Sequence, residues 1–157
     1  MTYDSIFIRA ARIDEASELT ALTMRSKAHW GYSAEFMEAC RDELRIDPEK
    51  IFSNQYFCFV AEQADTLLGY YLIKAASLAK YELEALFLEP SAIGQGIGKA
   101  LLKHAELLAK KEGARILMIE SDPNAEAFYI SAGAIRKGSI PSSSVSGRVL
   151  PLLEISL

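Results

Sequence analysis

The segment Leu86-Phe-Leu-Glu-Pro-Ser-Ala-Ile-Gly-Gln-Gly-Ile-Gly-Lys-Ala-Leu-Leu constrains this chain more than any other. Its first residues close an apolar, strand-like run that stops at Glu89-Pro90. Gly94, Gly96 and Gly98 then carry the chain straight into a long helical pattern. Glycines here let successive backbone N–H groups converge on one point with no side chain in the way. The helix that follows adds its partial positive charge, so the loop suits a phosphate or pyrophosphate. Two phosphate loops fail on named positions. A GxGxxG dinucleotide fingerprint starting at Gly94 needs glycine where Lys99 stands. A GxxxxGKS/T loop ending at Gly98-Lys99 needs glycine and a hydroxyl where Ile93 and Ala100 stand. For this segment alone, a glycine-rich turn before a structural helix is the plain alternative.

The rest of the chain alternates strand and helix signals around this loop. Ser5–Ala11 reads as a first strand, and Ile13–Lys27 as a helix with Asp14 as its cap. An aromatic break, His29-Trp30-Gly31-Tyr32, precedes a second helix capped by Ser33 and stopped before Pro48. Gln55–Glu62 and Leu67–Ala76 form a hairpin across the turn Ala64-Asp65-Thr66, and Tyr81–Leu88 is the strand that enters the loop. Gly96–Glu112 carries one apolar stripe from Ile97 to Ala109 and is ended by Gly113. Arg115–Glu120 is apolar enough to be buried on both faces, and Asn124–Ala132 is a short helix. Two strands close the chain around the polar loop Pro141–Gly147. With 157 residues, half of them hydrophobic, and no linker or repeat, this reads as one α/β domain over 1–157.

Charge and composition remove several function classes. The formal net charge of −4 supplies no basic field for nucleic acid or an anionic membrane surface. No apolar run is long enough to span a bilayer, and the opening residues lack the cationic start and apolar stretch of a signal peptide. The two cysteines, Cys40 and Cys58, match no CxxC spacing, and the two histidines are His29 and His104. Neither a metal site nor a disulfide framework is expected, and the chain reads as cytoplasmic with reduced thiols.

Chemistry collects on the strand that feeds the glycine loop. With a period of two, Glu82, Glu84, Leu86 and Leu88 fall on one face. Ionised carboxylates on a central strand are costly to bury, so two on one face point to a wet cleft or a functional site. A strand end that emerges into solvent is the plain alternative.

Two of these segments together resemble a known family. Gln95-Gly-Ile-Gly-Lys-Ala-Leu-Leu, after a strand ending in proline, is similar to the acetyl-CoA-binding motif of the GNAT superfamily of N-acetyltransferases. That motif is Gln/Arg-x-x-Gly-x-Gly/Ala, placed here at 93–98, and Ile93 departs from it at the first position. Asn124-Ala-Glu-Ala-Phe-Tyr-Ile-Ser-Ala-Gly-Ala resembles the family's N-x-x-A-x-x-F-Y-x-x-x-G-F, with a shorter stretch between asparagine and Phe-Tyr. The element order matches over most of the chain. The resemblance implies an α/β (α+β) GNAT-like fold with a central mixed, mostly antiparallel sheet of about seven strands flanked by about four helices, in the order β-α-α-β-β-β-α-β-α-β-β.

It also implies a reaction. Acetyl-CoA is the acyl-donor cosubstrate, with no metal. It would be held by Leu86, Phe87 and Leu88, by the loop Ile93, Gly94, Gln95, Gly96, Ile97, Gly98 and Lys99, and by Asn124, Phe128 and Tyr129. Glu84, with Glu82 behind it, is the candidate that deprotonates the amine, and Tyr129 the candidate that protonates the departing thiolate. Transfer is direct, in a ternary complex, with a backbone N–H near Leu86 facing the oxyanion. Trp30, Tyr32 and Arg148 are the candidates to meet the acceptor, a small amine or amino-acid-like molecule. A peptide amine stays open, as does an interior role for the two aromatics. A homodimer stays open too. The alternative is a non-catalytic CoA-binding sensor or partner-binding module of the same fold.

Overall fold

The computed structural model describes residues 5–157. Met1–Asp4 lie outside the described residues, and with them the start of the stretch read as lacking a signal peptide. The strands are β1 (Phe7–Ala10), β2 (Tyr56–Gln63), β3 (Thr66–Ala75), β4 (Lys80–Leu88), β5 (Ile116–Glu120), β6 (Ile135–Pro141) and β7 (Val149–Ser156). The helices are α1 (Ala16–Ala28), α2 (Ala34–Leu44), α3 (Pro48–Ile51), α4 (Ile97–Lys111) and α5 (Glu126–Ser131). The strands form one seven-stranded sheet in the order β1-β2-β3-β4-β5-β7-β6. Among the described residues, β4–β5 is the one parallel pair.

Two cores sandwich this sheet. On one face Leu101, Leu102, Ala105 and Ala109 of α4 pack over Tyr71, Ile73, Leu117, Ile119, Leu153 and Ile155. On the other, Ala16, Leu19 and Leu22 of α1 cover Cys58, Val60, Tyr70 and Leu72. The alternation along β3 explains the division, since Tyr70 and Leu72 point one way and Tyr71 and Ile73 the other.

Local differences from the sequence reading have local causes. The helix expected to begin at Ile13 opens as a 3-10 turn, Ile13–Glu15, and it is the Glu15 carboxylate rather than Asp14 that accepts a backbone N–H, from Arg12 at 2.7 Å. Pro48, expected only to stop a helix, begins α3. The Asp47 side chain accepts from Glu49 N at 3.0 Å, and proline suits the first helical position, so a one-turn helix, α3, joins the four longer ones among the described residues. The β2–β3 turn is two residues long, Ala64 and Asp65, at φ 48° and 63°, as a type I′ turn requires, which leaves Thr66 to the strand.

The consequential difference lies in β4. Leu72 pairs with Ala85 and Ile73 with Leu83, so Glu84 is an extra residue, a β-bulge. The bulge reverses the alternation. Tyr81 and Leu83 share the α4 core with Leu86 and Leu88, while Ala85 and Phe87 belong to the α1 core. The expectation that Glu82, Glu84, Leu86 and Leu88 share one face is therefore corrected. The two glutamates lie on the side of α2, and the two leucines on the side of α4 and the glycine loop.

Candidate active site

The sheet opens beside the bulge. Parallel pairing of β4 with β5 runs from Lys80 and Ile116 to Leu83 and Ile119 and ends there, although β4 continues to Leu88. Glu89 N donates to Leu68 O at 2.8 Å, which fixes the phase of the antiparallel β3–β4 ladder. Phe87 and Ala85 then turn their backbone groups to β3, while Leu86 and Leu88 turn theirs into the gap on the β5 side. That gap is a cavity of about 240 Å³, lined by Leu86, Phe87, Leu88, Ile93, Gly98, Asn124, Phe128 and Tyr129, with Trp30 also on its wall.

The glycine loop forms one end of the groove. Gly94 and Gly96 sit at φ 86° and 83°, a left-handed conformation that side chains disfavour. The first bond of α4 runs from Ala100 N to Gly96 O at 3.1 Å, leaving the N–H groups of Ile97, Gly98 and Lys99 at the helix start for an anion. Only backbone is on offer at Ile97, whose side chain is 2% exposed in the core. The Gln95 amide is spent on Ser91 O at 3.1 Å, and Lys99 is exposed. A Cβ on Gly98 would lie 3.3 Å from Leu88 Cδ1 and 3.6 Å from the Phe128 ring, so glycine keeps the groove open. A free strand edge, a row of helix-start amides and an apolar lining match an extended ligand with a phosphate-bearing end.

Tyr129, on α5, reaches the same groove, with the Phe128 ring edge-on at 5.2 Å. Burial pushes its phenol pKa up, and the negative charge of Asp122 pushes it further. The hydroxyl therefore stays protonated at neutral pH.

Asp122, between β5 and α5, was not singled out by the sequence. Its carboxylate pairs with the Lys27 ammonium, accepts from the Tyr32 hydroxyl at 2.9 Å and from Asn124 N at 2.8 Å, and has Arg148 Nη2 at 3.3 Å. The Tyr32 oxygen in turn accepts from Arg148 Nη2 at 2.8 Å and from Asn124 Nδ2 at 2.9 Å. Burial raises the Asp122 pKa, but Lys27, the Asn124 amide and Tyr32 outweigh it and hold the carboxyl below its usual range. Burial first, and then Asp122, push the Tyr32 phenol up. Tyr32, Asn124 and Arg148 thus come together. Trp30 does not join them. It packs edge-on to His29 and lines the groove, while Tyr32 stacks on Phe36 at 4.1 Å. The signal for Asp122 was present. Laid on Phe128-Tyr129 without a gap, N-x-x-A-x-x-F-Y spans 122–129, with Asp122 in the asparagine position and Ala125 in the alanine position.

On the α2 side of the bulge lies a second cavity, of about 500 Å³, lined by the carboxylates Asp42, Glu43, Asp47, Glu82, Glu84 and Glu120 together with Met118 and the cations Arg45 and Lys50. Glu120 is the perturbed acid here. Burial raises its pKa, and the charges of Glu82, Glu43 and Glu84 raise it further. A smaller cavity of about 140 Å³ continues inward past Lys27, Cys40, Tyr70 and Arg148. Glu84 lines this cavity, the acidic one and the groove, so it stands where all three meet. Among the described residues no group of histidine, cysteine, aspartate and glutamate side chains is arranged to hold a metal ion. No described helix is long and apolar enough to cross a membrane.

Comparison with known proteins agrees with this architecture. A family model described as an acetyltransferase (GNAT) domain matches residues 32–140. Peptidyl-lysine N-acetyltransferase YjaB of Salmonella typhimurium is 31% identical over 156 residues, covering 96% of this chain and 97% of that protein. The YjaB protein of Escherichia coli is 29% identical over 154 residues, covering 96% of each. Among solved structures, the PaiA N-acetyltransferase from Thermoplasma acidophilum in complex with coenzyme A superposes with a TM-score of 0.81 at 25% identity, covering 98% of this chain and 99% of that one.

Proposed function

The chain belongs to the GNAT acetyltransferase family and is an acyl-CoA-dependent N-acetyltransferase, and on that premise we propose that it moves the acetyl group of acetyl-CoA onto a primary amine by direct attack in a ternary complex. The observation that carries this reading is the position of Glu84 at the meeting point of the apolar groove and the acidic cavity. Acetyl-CoA, when bound, supplies a thioester carbonyl open to an amine. The groove suits it: Leu86 and Leu88 offer free backbone groups to an extended arm, and the amides of Ile97, Gly98 and Lys99 face an anionic end.

The acidic cavity suits the acceptor. An alkylammonium is protonated at neutral pH and must lose a proton before nitrogen attacks. Glu82, Glu84 and Glu120 draw the cation in, and Glu84 takes the proton, directly or through water passed to Glu82. The N–H of Leu86 points into the gap, where negative charge grows on the carbonyl oxygen. Tyr129 gives its proton to the departing sulfur. Arg148, held by Asp122 and Tyr32, walls the inner end of the acceptor side.

The acceptor class is a primary alkylammonium. A small amine or amino-acid-like molecule presents one, as does the lysine side chain that the YjaB relatives are named for. A thiol-release assay with acetyl-CoA and a panel comprising a linear diamine, a free amino acid, an aminoglycoside and a lysine peptide ranks them. Turnover on at least one primary alkylammonium, falling as its charge is removed, is the expected result. Tight acetyl-CoA binding with no turnover on any member would overturn the reading in favour of a CoA-binding module.

A further inference from the structure

Lys50, on the one-turn helix α3, brings a lysine of the chain itself to the carboxylate just described. Its Nζ lies 3.2 Å from Glu84 Oε2 and 5.1 Å from the centre of the Tyr56 ring. A carboxylate beside an aromatic face is what an incoming alkylammonium would seek, so Lys50 stands where the acceptor nitrogen would approach. Two further observations separate it from an ordinary ion pair. Glu84 also lines the donor groove, so the carboxylate that holds the Lys50 ammonium borders the groove itself. The pair is also open, with side chains 37% and 26% exposed, and such pairs exchange readily. Lys27 makes the contrast: it lines the groove too, but its side chain is 10% exposed and pinned on Asp122.

We propose that Lys50 is an intramolecular acetyl acceptor, so that the chain acetylates its own Lys50 when acetyl-CoA is present and no amine substrate competes. The inference rests on the assignment of Glu84 as the proton acceptor. In the step, Glu84 takes one proton from the Lys50 ammonium and the freed lone pair forms the C–N bond. The thioester C–S bond breaks, its electron pair leaves with sulfur, and Tyr129 protonates that sulfur. The second proton shed by nitrogen restores Tyr129, and the proton on Glu84 goes to solvent. Nothing is oxidised or reduced. The products are acetyl-lysine, the CoA thiol and one proton. Acetylation also discharges Lys50, which removes its ammonium from Glu84.

The test is to incubate the full chain with acetyl-CoA and no amine, following intact mass and the acetylated peptides by mass spectrometry, with the heat-denatured chain as the control for uncatalysed acetylation. The expected result is one acetyl group per chain, on Lys50, at a first-order rate independent of protein concentration. Lys50→Arg removes that increment, and Glu84→Gln slows it about tenfold or more. Acetylation spread over other lysines at the denatured rate, a rate that scales with protein concentration, or an unmodified Lys50 would each overturn the proposal. If the amine panel is turned over while Lys50 stays unmodified, only this inference falls. If both fail, the assignment of Glu84 falls with it.

Discussion

At Asp122 one carboxylate joins α1, the turn after it, the turn before α5 and the segment before β7, through Lys27, Tyr32, Asn124 and Arg148. Breaking a buried pair from one side is costly because the other charge is left without a partner. Asp122→Ala is therefore expected to destabilise the protein by about 3–5 kcal/mol in urea unfolding, and Lys27→Met in the same background to recover more than half of that. A loss below about 1 kcal/mol for the single variant would contradict the role given to the pair. At this scale the sequence showed Tyr32, Asn124 and Arg148 as polar groups worth attention but not what holds them. Lys27 and Asp122 are 95 residues apart, and nothing local to either marks the other. Asn124 also stands as a nearby asparagine two places after Asp122, which takes the first position of the second motif.

At the scale of elements, the site is a consequence of how β4 leaves its neighbours. The bulge at Glu84 and the end of pairing at Leu83 and Ile119 together put carboxylates on one side and a free backbone edge on the other. Gly69 on β3 packs behind that edge, paired with Leu88. A Cβ there would lie 2.9 Å from Phe87 O, 2.5 Å from Leu88 Cδ2 and 3.2 Å from Leu101 Cδ1, so the two leucine side chains would have to shift and β3 and β4 would have to separate. Gly69→Ala should cost about 1–3 kcal/mol in thermal unfolding and raise the KM for acetyl-CoA several-fold, because Leu86 and Leu88 move with the strand. An unchanged KM would show that this edge does not hold the donor. Strand and helix order were readable because β-branched runs, the Ser33 cap and the glycine stops are local signals. The bulge was not readable, since a period-two pattern has no mark for one extra residue and Glu84 has no glycine beside it. The helix begun by Pro48 shows the same limit, because proline both stops a helix and starts one.

Across the whole molecule, the formal charge of −4 is distributed unevenly, with Asp42, Glu43, Asp47, Glu82, Glu84 and Glu120 gathered around one cavity. That concentration opposes folding where it is uncompensated. Burial and its acidic neighbours raise the folded-state pKa of Glu120 above its ordinary value, so the native state binds a proton that the unfolded chain releases. Stability is then lost as pH rises through the folded pKa. Glu120→Gln should raise Tm at neutral pH by on the order of 2 °C, a gain that vanishes below about pH 4, where the wild-type carboxyl is already protonated. The same variant should weaken binding of a cationic amine, which is how a binding site comes to trade against stability. A Tm gain that persists unchanged in acid would assign the effect to packing instead. What unites groove and acidic cavity is Glu84, so the proton-accepting role proposed for it is best tested by the turnover of Glu84→Gln with the best amine of the panel. The account predicts kcat lower by about 100-fold at neutral pH, with the KM for acetyl-CoA within about twofold of wild type. A kcat within about threefold of wild type would contradict it.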